Sequence, residues 1–563
     1  MGRKDVRDQL RVVQFVRHLS EWHRSGPTSR GLIRSFDQGE NWNLTNTIFS
    51  NPPTALTQAT DGSLFAATPK GVQKSTDYGL NWESPLFTST LVTAVAVSKT
   101  GVLFAGLSDS MRIFRSTDAG KTWVSIKGDL PANGPVLAIA EDHVNPNLLF
   151  VGTEFALFFT LNGGQKWTQL KGGLPTIAVR DLAIQKRESD LALATFGRGF
   201  YILDDYTPLR NLKPEMLSQE ASLFSVKDAL MYIEARPLGG RGKGFQGESF
   251  YSADNPPFGA VFTYHLKESL KTKKERRQEA EKDAEKKGVA APYPTFEQLK
   301  AEDQEEAPAI LMTVTDAEGR VVRKLTGRNS SGMNRVTWDL RSPAPTPPQQ
   351  QQEADFFDEG PSGPLVMPGE YKVTLAKRVE GKVTQLAGPV SFNVVVEGQA
   401  SMKAEDRKVL VDFQQKVARL QRAVTGASRL SADVKTRLGQ IKLALHQTPA
   451  ADEKLREDAR TIEAQLDEIT TALRGDNSRR SRNEASPVSI GERVANIVDD
   501  QRMSTSRPTQ THLDQFKIAG ELFSAELAKL RTLVETDLTK LEKAMEAAGS
   551  PWTPGRIPEW KEE

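Results

Sequence analysis

The chain has 563 residues, with 74 lysines and arginines against 72 aspartates and glutamates and a formal net charge of +2. This length predicts several domains, and the near-neutral charge argues against nucleic acid as the main partner. Because cysteine is absent and the six histidines lack metal-ligand spacing, we expect neither disulfides, nor a thiol nucleophile, nor a metal or other cofactor.

Residues 1–30 are rich in arginine and contain one short apolar run around Phe15. The run is too short for the apolar core of a secretory signal, and no stretch of the chain reaches the roughly 18 apolar residues of a membrane span. We therefore expect a short amphipathic helix or irregular segment here and no membrane-spanning segment. The sequence leaves the compartment open.

A motif of the form S/T-x-D/N-x-G-x-x-W occurs four times in residues 31–210. The copies are Ser35, Asp37, Gly39 and Trp42; Ser75, Asp77, Gly79 and Trp82; Ser116, Asp118, Gly120 and Trp123; and Thr160, Asn162, Gly164 and Trp167. Their first residues are 40, 41 and 44 positions apart. This period is the length of one four-stranded propeller blade, so the repeat predicts a β-propeller.

The chemistry of the repeated motif is that of a turn. The Asp or Asn side chain can accept backbone N–H bonds, the glycine can adopt a positive φ, and the hydroxyl can add a local bond. The tryptophan can bury its ring between neighbouring sheets. Every motif residue then has a structural role, so we interpret these aspartates as structural rather than catalytic.

The two ends of the repeat region are incomplete. The interval from Gly199 to Asp205 matches earlier copies but lacks the following glycine and tryptophan, so the last sheet lacks a fourth strand of its own. Residues 31–44 supply strands without the two that should precede them. The partial sheets could complete one another in a five-bladed ring, or the chain could hold part of a larger ring.

The repeat is similar to the Asp-box, or BNR, repeat of sialidases, xyloglucanase-type glycosidases and the sortilin ectodomain. Residues 141–210, including "EDHVNPNLLFVGTEFALFFTLNGGQKW", "LPTIAVRDLAIQ" and "ATFGRGFYILDDYTPLR", closely resemble bacterial sortilin-like (VPS10-like) proteins often labelled glycosyl hydrolases. The resemblance runs from about residue 31 to the C-terminus. It implies a propeller, an immunoglobulin-like module, a helical tail and an extracytoplasmic location.

The chain departs from that family in two respects. Family members usually begin with a secretion signal and carry more propeller sequence, so the resemblance implies a shortened protein or a start placed within a longer one. The cysteine-rich module of animal sortilins is missing, which argues against a role in receptor sorting.

Downstream of the repeats, seven short β-prone runs predict an immunoglobulin-like sandwich over residues 211–398, with Trp338 in its core. Two insertions are expected to be solvated, a charged one at 267–307 and a Pro/Gln-rich loop at 342–364. Heptad-like apolar stripes predict a helical bundle over residues 399–548, followed by a tail at 549–563. A G-x-G-x-x-G match at residues 242–247 lacks a following helix and is interpreted as a loop.

The enzyme hypothesis needs two carboxyl groups on either side of a glycosidic bond. Outside the motifs, the candidates in loops are Asp109, Glu154 and Asp181, each of which has an ordinary turn or salt-bridge explanation. Arg198, held between two glycines, is the first candidate for contacting an anionic ligand. No motif supplies the arginine cluster and tyrosine nucleophile of a sialidase.

Three functions follow from these patterns. The leading hypothesis is a non-catalytic binding or scaffold protein whose propeller binds a peptide or glycan. The alternatives are a glycoside hydrolase of the Asp-box type and an assembly subunit that pairs through open propeller edges. The oligomeric state is left open.

Overall fold

The structure is a computed structural model that describes residues 14–16, 31–35, 40–41, 43–48, 53–87, 92–109, 111–234, 253–290, 293–346, 362–397, 402–502, 504, 506–558 and 560. The chain forms two compact units, Met1–Met216 and Leu217–Glu563. The described residues are mostly β-sheet up to residue 396 and helical between residues 404 and 547. This content confirms the predicted combination of β-structure with a helical C-terminal region.

The described part of the first unit contains five antiparallel sheets that follow one another along the chain. Sheet 1 comprises β1 (Gln14–Val16), β2 (Gly31–Ser35) and β3 (Asn43–Ile48); sheet 2 comprises β4 (Ala55–Gln58), β5 (Leu64–Thr68) and β6 (Gly71–Ser75); sheet 3 comprises β7 (Val92–Val97), β8 (Leu103–Leu107), β9 (Ile113–Ser116) and β10 (Val124–Ser125); sheet 4 comprises β11 (Val136–Glu141), β12 (Leu149–Thr153), β13 (Leu157–Thr160) and β14 (Thr168–Leu170); sheet 5 comprises β15 (Val179–Gln185), β16 (Asp190–Thr195) and β17 (Phe200–Leu203). Two short helices follow, α1 (Pro208–Asn211) and α2 (Pro214–Ser218). Within each sheet, strands that are consecutive in sequence pair with one another.

The second strands of sheets 2, 3 and 4 are buried along their whole length. They read LFAAT, LFAGL and LFVGT. Such uninterrupted apolar runs arise where both faces of a sheet are covered by neighbouring layers. At Gly152 the next sheet comes so close that a Cβ would lie 2.7 Å from the carbonyl oxygen of Val179. The sheets therefore stack tightly against one another.

The first strands of neighbouring sheets lie side by side. The hydroxyl of Thr54, just before β4, donates to the carbonyl oxygen of Val92 in β7 at 2.6 Å. The hydroxyl of Thr93 in β7 makes the equivalent bond to Val136 in β11. The starts of these strands therefore meet at one end of the stack, which we call the entry end. The opposite end, where the repeated motifs lie, is the box end.

The N-terminal expectations need correction. Gln14–Val16, predicted to lie in a helix or irregular segment, forms strand β1. It pairs antiparallel with β2, so the strands of residues 31–48 do have one strand before them. Cross-strand pairing distant in sequence overrides local helical preference here. Among the described strands, β17 pairs with β16, and closure of a ring remains a prediction.

The second unit begins with two sheets that share one hydrophobic core. The first has the order β18-β20-β23 and the second the order β19-β25-β24-β21-β22. Their strands are β18 (Ala221–Leu223), β19 (Ala229–Met231), β20 (Ala260–Leu266), β21 (Ala309–Asp316), β22 (Val321–Gly327), β23 (Gly332–Trp338), β24 (Gly369–Val379) and β25 (Lys382–Val396). Trp338 is fully buried between the sheets, and its indole N–H donates to the carbonyl oxygen of Arg341 at 2.9 Å.

The charged insertion contains two helices, α3 (Lys273–Lys286) and α4 (Phe296–Asp303). Each begins with a capping box, from Thr272 and Thr295, and neither buries a residue. Solvation of both helices follows from their polar sequences. Residues 347–361 of the Pro/Gln-rich loop and the G-x-G-x-x-G match at 242–247 lie outside the described residues.

The C-terminal helices pack on a core of their own. They are α5 (Ala404–Gln447), α6 (Glu453–Arg474), α7 (Asn477–Arg480), α8 (Ile490–Arg502), α9 (Gln510–Thr532) and α10 (Thr539–Ala547), with a π-helical segment at Leu533–Leu538 between the last two. One apolar stripe of α6 faces this core, where Ile462, Leu466, Ile469 and Leu473 are buried. The apolar stripes are thus used inside the bundle.

Candidate functional site

At the box end, each of the three described repeats forms the same pattern of hydrogen bonds. The hydroxyls of Ser75, Ser116 and Thr160 donate to Asp77, Asp118 and Asn162 at 2.8, 2.8 and 2.9 Å, and accept the N–H groups of Gly79, Gly120 and Gly164 at 2.9, 2.8 and 3.1 Å. Hydrogen bonds from Thr122 and Ser116 lower the pKa of Asp118 to about 2. Asp37, Gly39 and Trp42 of the first copy lie outside the described residues.

Two motif tryptophans contact the preceding sheet. The ring centroid of Trp123 lies 5.0 Å from that of Phe87, which pairs with β6 at the edge of sheet 2. The indole N–H of buried Trp167 donates to the carbonyl oxygen of Ile126 at 3.1 Å, next to the last strand of sheet 3. The side chains of these motifs form turns and sheet contacts.

All four predicted site residues lie at the entry end. Asp109, Glu154 and Arg198 occupy the turns between the second and third strands of sheets 3, 4 and 5, and Asp181 lies near the start of β15. Second strands finish where first strands begin, so these positions share one end of the stack. The structure brings the four residues to one surface but distributes them over three successive sheets.

The three carboxylates have local partners or solvent around them. Asp109 forms an ion pair with Arg112, and both side chains are nearly half exposed. Asp181 accepts the backbone N–H of Leu182 at 2.8 Å, and Glu154 is exposed. The three carboxylates are divided among sheets 3, 4 and 5.

The turn at residues 195–199 presents an aromatic ring beside a guanidinium group. The guanidinium carbon of Arg180 lies 5.1 Å from the ring centroid of Phe196, whose side chain is 67% exposed. The N–H of Phe196 donates to the carbonyl oxygen of Ala178 at 3.0 Å, which fixes the turn against the start of β15. A cation held over an exposed ring is suited to contact with both charged and aromatic ligand groups.

Arg198 lies at the tip of this turn. Gly197 and Gly199 adopt φ values of +80° and +67°, and the hydroxyl of Thr195 donates to the carbonyl oxygen of Gly199 at 2.7 Å. Phe155, in the equivalent turn of sheet 4, is 48% exposed, and Phe200, at the start of β17, is 78% exposed. We call Phe155, Arg180, Phe196, Arg198 and Phe200 the entry surface. Sequence reasoning identified Arg198 in this set and missed the rest.

A buried polar cluster was also missed. The carboxylate of Asp142 is fully buried and accepts hydrogen bonds from the Tyr206 hydroxyl at 2.6 Å and from Arg210 at 2.7 and 2.8 Å. Burial acts to raise the pKa of Asp142, but the bonds from Arg210 and Tyr206 outweigh burial and lower it. The sequence segments that carry this cluster are "EDHVNP", which contains Asp142, and "DDYTPLR", which contains Tyr206 and Arg210. Because the carboxylate is buried, the cluster is structural.

Glu141, next to this cluster, has the opposite electrostatic behaviour. Burial raises its pKa to about 7, although the charge of Arg115 opposes the shift. Neighbouring carboxyl groups with divergent pKa values are typical of acid–base sites. Here the residue with the lowered pKa is fully buried, and Glu141 ends β11 at the box end, away from the candidate carboxylates.

Neither a metal site nor a membrane helix is found in the described part of the chain. No group of three or more histidines, aspartates and glutamates there could hold a metal ion. None of the described helices is both long enough and apolar enough to cross a membrane.

No family model and no curated protein matches this chain. Among solved structures, YCF48 bound to D1 peptide is 17% identical, with 31% of this chain and 56% of that one covered at a TM-score of 0.26. The extracellular domain of the putative hybrid two-component system BT3049 from B. thetaiotaomicron is 9% identical, with coverages of 65% and 41% and a TM-score of 0.26. YCF48 from Cyanidioschyzon merolae is 14% identical, with coverages of 35% and 68% and a TM-score of 0.25.

These neighbours are β-propeller-like proteins. The chain spans about half the length of the first two structures it matches, at 56% and 41%. Similarities this low carry no ligand or activity over to this chain. The resemblance to sortilin-like Asp-box proteins stays a prediction.

Proposed function

We propose that this protein is a non-catalytic binding protein whose entry surface holds a peptide segment. The observation that carries the proposal is the contact between Arg180 and the largely exposed ring of Phe196. Exposed aromatic and arginine side chains are the groups most enriched at the centres of protein interfaces. The turn at residues 195–199 is held by hydrogen bonds from the N–H of Phe196 and from the hydroxyl of Thr195, so this part of the surface is preorganised.

The chemistry of the entry surface favours a particular kind of peptide. The guanidinium groups of Arg180 and Arg198 can bind carboxylates in a bidentate manner. Phe155, Phe196 and Phe200 offer rings against which apolar side chains can pack. An extended segment that alternates acidic and apolar residues satisfies both requirements. Aromatic rings also stack on sugars, so a glycan is the competing ligand.

Binding can be tested with an array of immobilised acidic-apolar peptides and, in parallel, a glycan array. Peptides that bind would be measured by fluorescence anisotropy against a Phe196→Ala/Arg198→Gln variant, which we expect to lose at least tenfold in affinity. A matched control is Val124→Ala/Lys121→Gln, which removes one exposed apolar and one cationic side chain at the box end. An equal loss of peptide affinity in both variants would contradict the proposed location. Binding to the glycan array but not to the peptide array would favour a glycan ligand.

We further propose that the first unit is an Asp-box propeller of the sortilin-like class and that the sandwich is immunoglobulin-like. The domain limits of this proposal are residues 31–210, 211–398 and 399–548. The same hydrogen-bond pattern in each of the three described motifs supports this proposal. An extracytoplasmic location belongs to the same proposal.

Assembly through sheet 5 is a second candidate function, supported by the exposed face of that sheet. Ile202 is 56% and Phe200 78% exposed, and both lie across from alanines, Ala192 and Ala194, on one face. An apolar face beside an edge strand is typical of a surface that another β-element covers. Concentration-dependent oligomers in light scattering, abolished by Ile202→Lys, would support assembly; a monomer at high concentration would contradict it.

A further inference from the structure

Strand β17 lies at the edge of sheet 5 among the described strands. In sheets 3 and 4 the third strands, β9 and β13, pair with a fourth strand on the side away from the second strand. β17 occupies the third position in sheet 5, and a Cβ added at Gly199, just before it, would meet nothing within 4 Å. The start of β17 therefore has open space around it.

The backbone groups of Phe200 and Ile202 point away from the rest of sheet 5. The N–H of Thr195 donates to the carbonyl oxygen of Gly199 at 3.0 Å, which makes these two residues a hydrogen-bonded pair of the hairpin. Bonded and non-bonded pairs alternate along an antiparallel ladder, so Tyr201 is bonded to β16 and its two neighbours are not. The N–H and C=O groups of Phe200 and Ile202 therefore form a template for another strand.

The side chains of the same two residues are exposed on one face. Phe200 and Ile202 are 78% and 56% exposed, and the residues across from them on β16 are the small side chains Ala194 and Ala192. A strand that pairs with β17 therefore has to supply apolar side chains at every second residue on this face.

A second copy of β17 meets both requirements when it runs antiparallel. With Tyr201 opposite the partner's Tyr201, Phe200 lies opposite the partner's Ile202, and Ile202 lies opposite the partner's Phe200. Both become hydrogen-bonded pairs, because the outward backbone groups then face each other. An aromatic residue and a β-branched residue are a favourable cross-strand pair. The strand is therefore complementary to itself in this register.

The charges at the two ends of β17 fit the same arrangement. Arg198 precedes the strand and Asp204 follows it. In the register centred on Tyr201, Arg198 lies opposite the partner's Asp204, so opposite charges meet at both ends of the pair. Asp204 also has interactions within its own chain, and a carboxylate can accept bonds from more than one donor. A parallel second copy would instead place like charges side by side, so the antiparallel copy is favoured.

We propose that two copies of this protein associate through an antiparallel β17–β17 pair with a two-fold axis at Tyr201. The pair continues sheet 5 of one copy into sheet 5 of the other and covers both edges, so association ends at the dimer. The inference rests on assembly through sheet 5, the second function proposed for this protein, and not on peptide binding. Because Phe200 and Arg198 also belong to the entry surface, a bound peptide and a partner copy would exclude each other.

Disulfide formation tests the register, because the protein contains no cysteine. The variants Phe200→Cys and Ile202→Cys would be oxidised separately and as a mixture. Residues opposite each other in a bonded pair have Cα atoms about 5.5 Å apart, within reach of a disulfide, whereas identical residues lie diagonally at about 7–8 Å. We expect the mixture to form linked dimers at least tenfold faster than either variant alone. Linking of either variant alone at the rate of the mixture, or faster, would overturn the register.

The matched control is Val124→Cys, at an exposed apolar residue of the edge strand β10. Mixed with Phe200→Cys, it should link no faster than Phe200→Cys alone. Linking at the rate of the Phe200→Cys and Ile202→Cys mixture would show that random collisions are sufficient and would overturn the proposal.

A charge reversal tests the antiparallel direction without removing an apolar contact. Arg198→Glu should raise the dissociation constant of the dimer at least tenfold, because it places a negative charge opposite the partner's Asp204. Lys121→Glu, which reverses an exposed charge in the motif turn of sheet 3, should change the constant little. Equal effects of the two variants would overturn the antiparallel arrangement.

Sedimentation equilibrium of the unaltered full-length protein separates this inference from the assembly function on which it rests. We expect a reversible equilibrium between monomer and dimer. A monomer at all concentrations would overturn both. A dimer whose cysteine variants link in another pattern would overturn the β17 pair alone, and assemblies larger than a dimer would overturn the two-fold arrangement.

Discussion

The carboxylate of Asp142 accepts two hydrogen bonds from the guanidinium group of Arg210, at 2.8 Å from Nε and 2.7 Å from Nη2, across 68 positions of sequence. Asp142 follows β11 of sheet 4, whereas Arg210 lies in α1 beyond sheet 5. The hydroxyl of Tyr206 donates a hydrogen bond to the same carboxylate. Its ring packs against Phe150, with the ring centroids 5.2 Å apart. The pair therefore fastens the end of the sheet region to sheet 4.

Replacing Asp142 with Asn should destabilise the first unit by about 3–5 kcal/mol, the usual effect of removing one partner of a buried ion pair. The guanidinium group of Arg210 would remain largely buried without a countercharge. Urea unfolding followed by tryptophan fluorescence measures the loss. The control is Asp109→Asn, which breaks the exposed pair with Arg112 and should cost about 0–1 kcal/mol. Equal losses would show that the buried cluster carries no special stability.

Glu141 predicts a pH dependence of stability in the neutral range. Because burial raises its folded-state pKa from 4.5 to about 7, the folded chain binds the proton more tightly than the unfolded chain. This contribution is fully present below about pH 4.5 and is lost as the pH rises through 7.

Glu141→Gln should therefore be more stable than the unsubstituted protein at pH 8, by about 1 kcal/mol after allowance for the partial exposure of the group. The two proteins should unfold at similar urea concentrations at pH 4.5. Urea titrations at both pH values test this expectation. A constant difference at the two pH values would contradict titration of Glu141 as the cause.

Gly71 should tolerate substitution far less than Gly62. Both have positive φ values, +126° and +88°, but a Cβ at Gly71 would lie 1.7 Å from the carbonyl oxygen of Phe87, whereas nothing lies within 4 Å at Gly62. Gly62→Ala should cost about 1–2 kcal/mol from backbone strain alone, and Gly71→Ala should cost more because sheet 2 must also shift. Thermal unfolding compares the two variants. Similar melting temperatures would show that the segment at Phe87 moves aside at little cost.

The sequence predicted the repeated turns because their bonds are local. The hydroxyl of Ser116 reaches Asp118 and Gly120 within four residues, so spacing alone indicates the geometry. Strand β20 lies in the region predicted to form the sandwich, and its sequence AVFTYHL is rich in β-branched and aromatic residues, which is a local signal of a strand. Contacts between distant segments left no comparable periodic signal.

Three features show what local reasoning could not reach. The contact between Arg180 and Phe196 depends on the start of β15 lying beside the turn after β16. The pairing of Asp142 with Arg210 depends on the stacking of sheets 4 and 5. The short apolar run at Gln14–Val16 predicts a helix or irregular segment, because the pairing of β1 with β2 leaves no signal in the local sequence. In each case a tertiary contact decides the structure.

The competing glycosidase hypothesis predicts turnover that depends on the entry-end carboxylates. We expect no product release from a panel of glycosides, sialosides and plant oligosaccharides, because Asp109 is paired with Arg112 and the candidates are divided among three sheets. The comparison is with an Asp109→Asn/Glu154→Gln/Asp181→Asn variant, and circular dichroism confirms that both proteins are folded. Turnover by the unsubstituted protein that the triple variant lacks would replace the binding proposal with a hydrolase. Turnover that persists in the variant would come from a contaminating enzyme or from other carboxylates. Either source would show that Asp109, Glu154 and Asp181 are not catalytic.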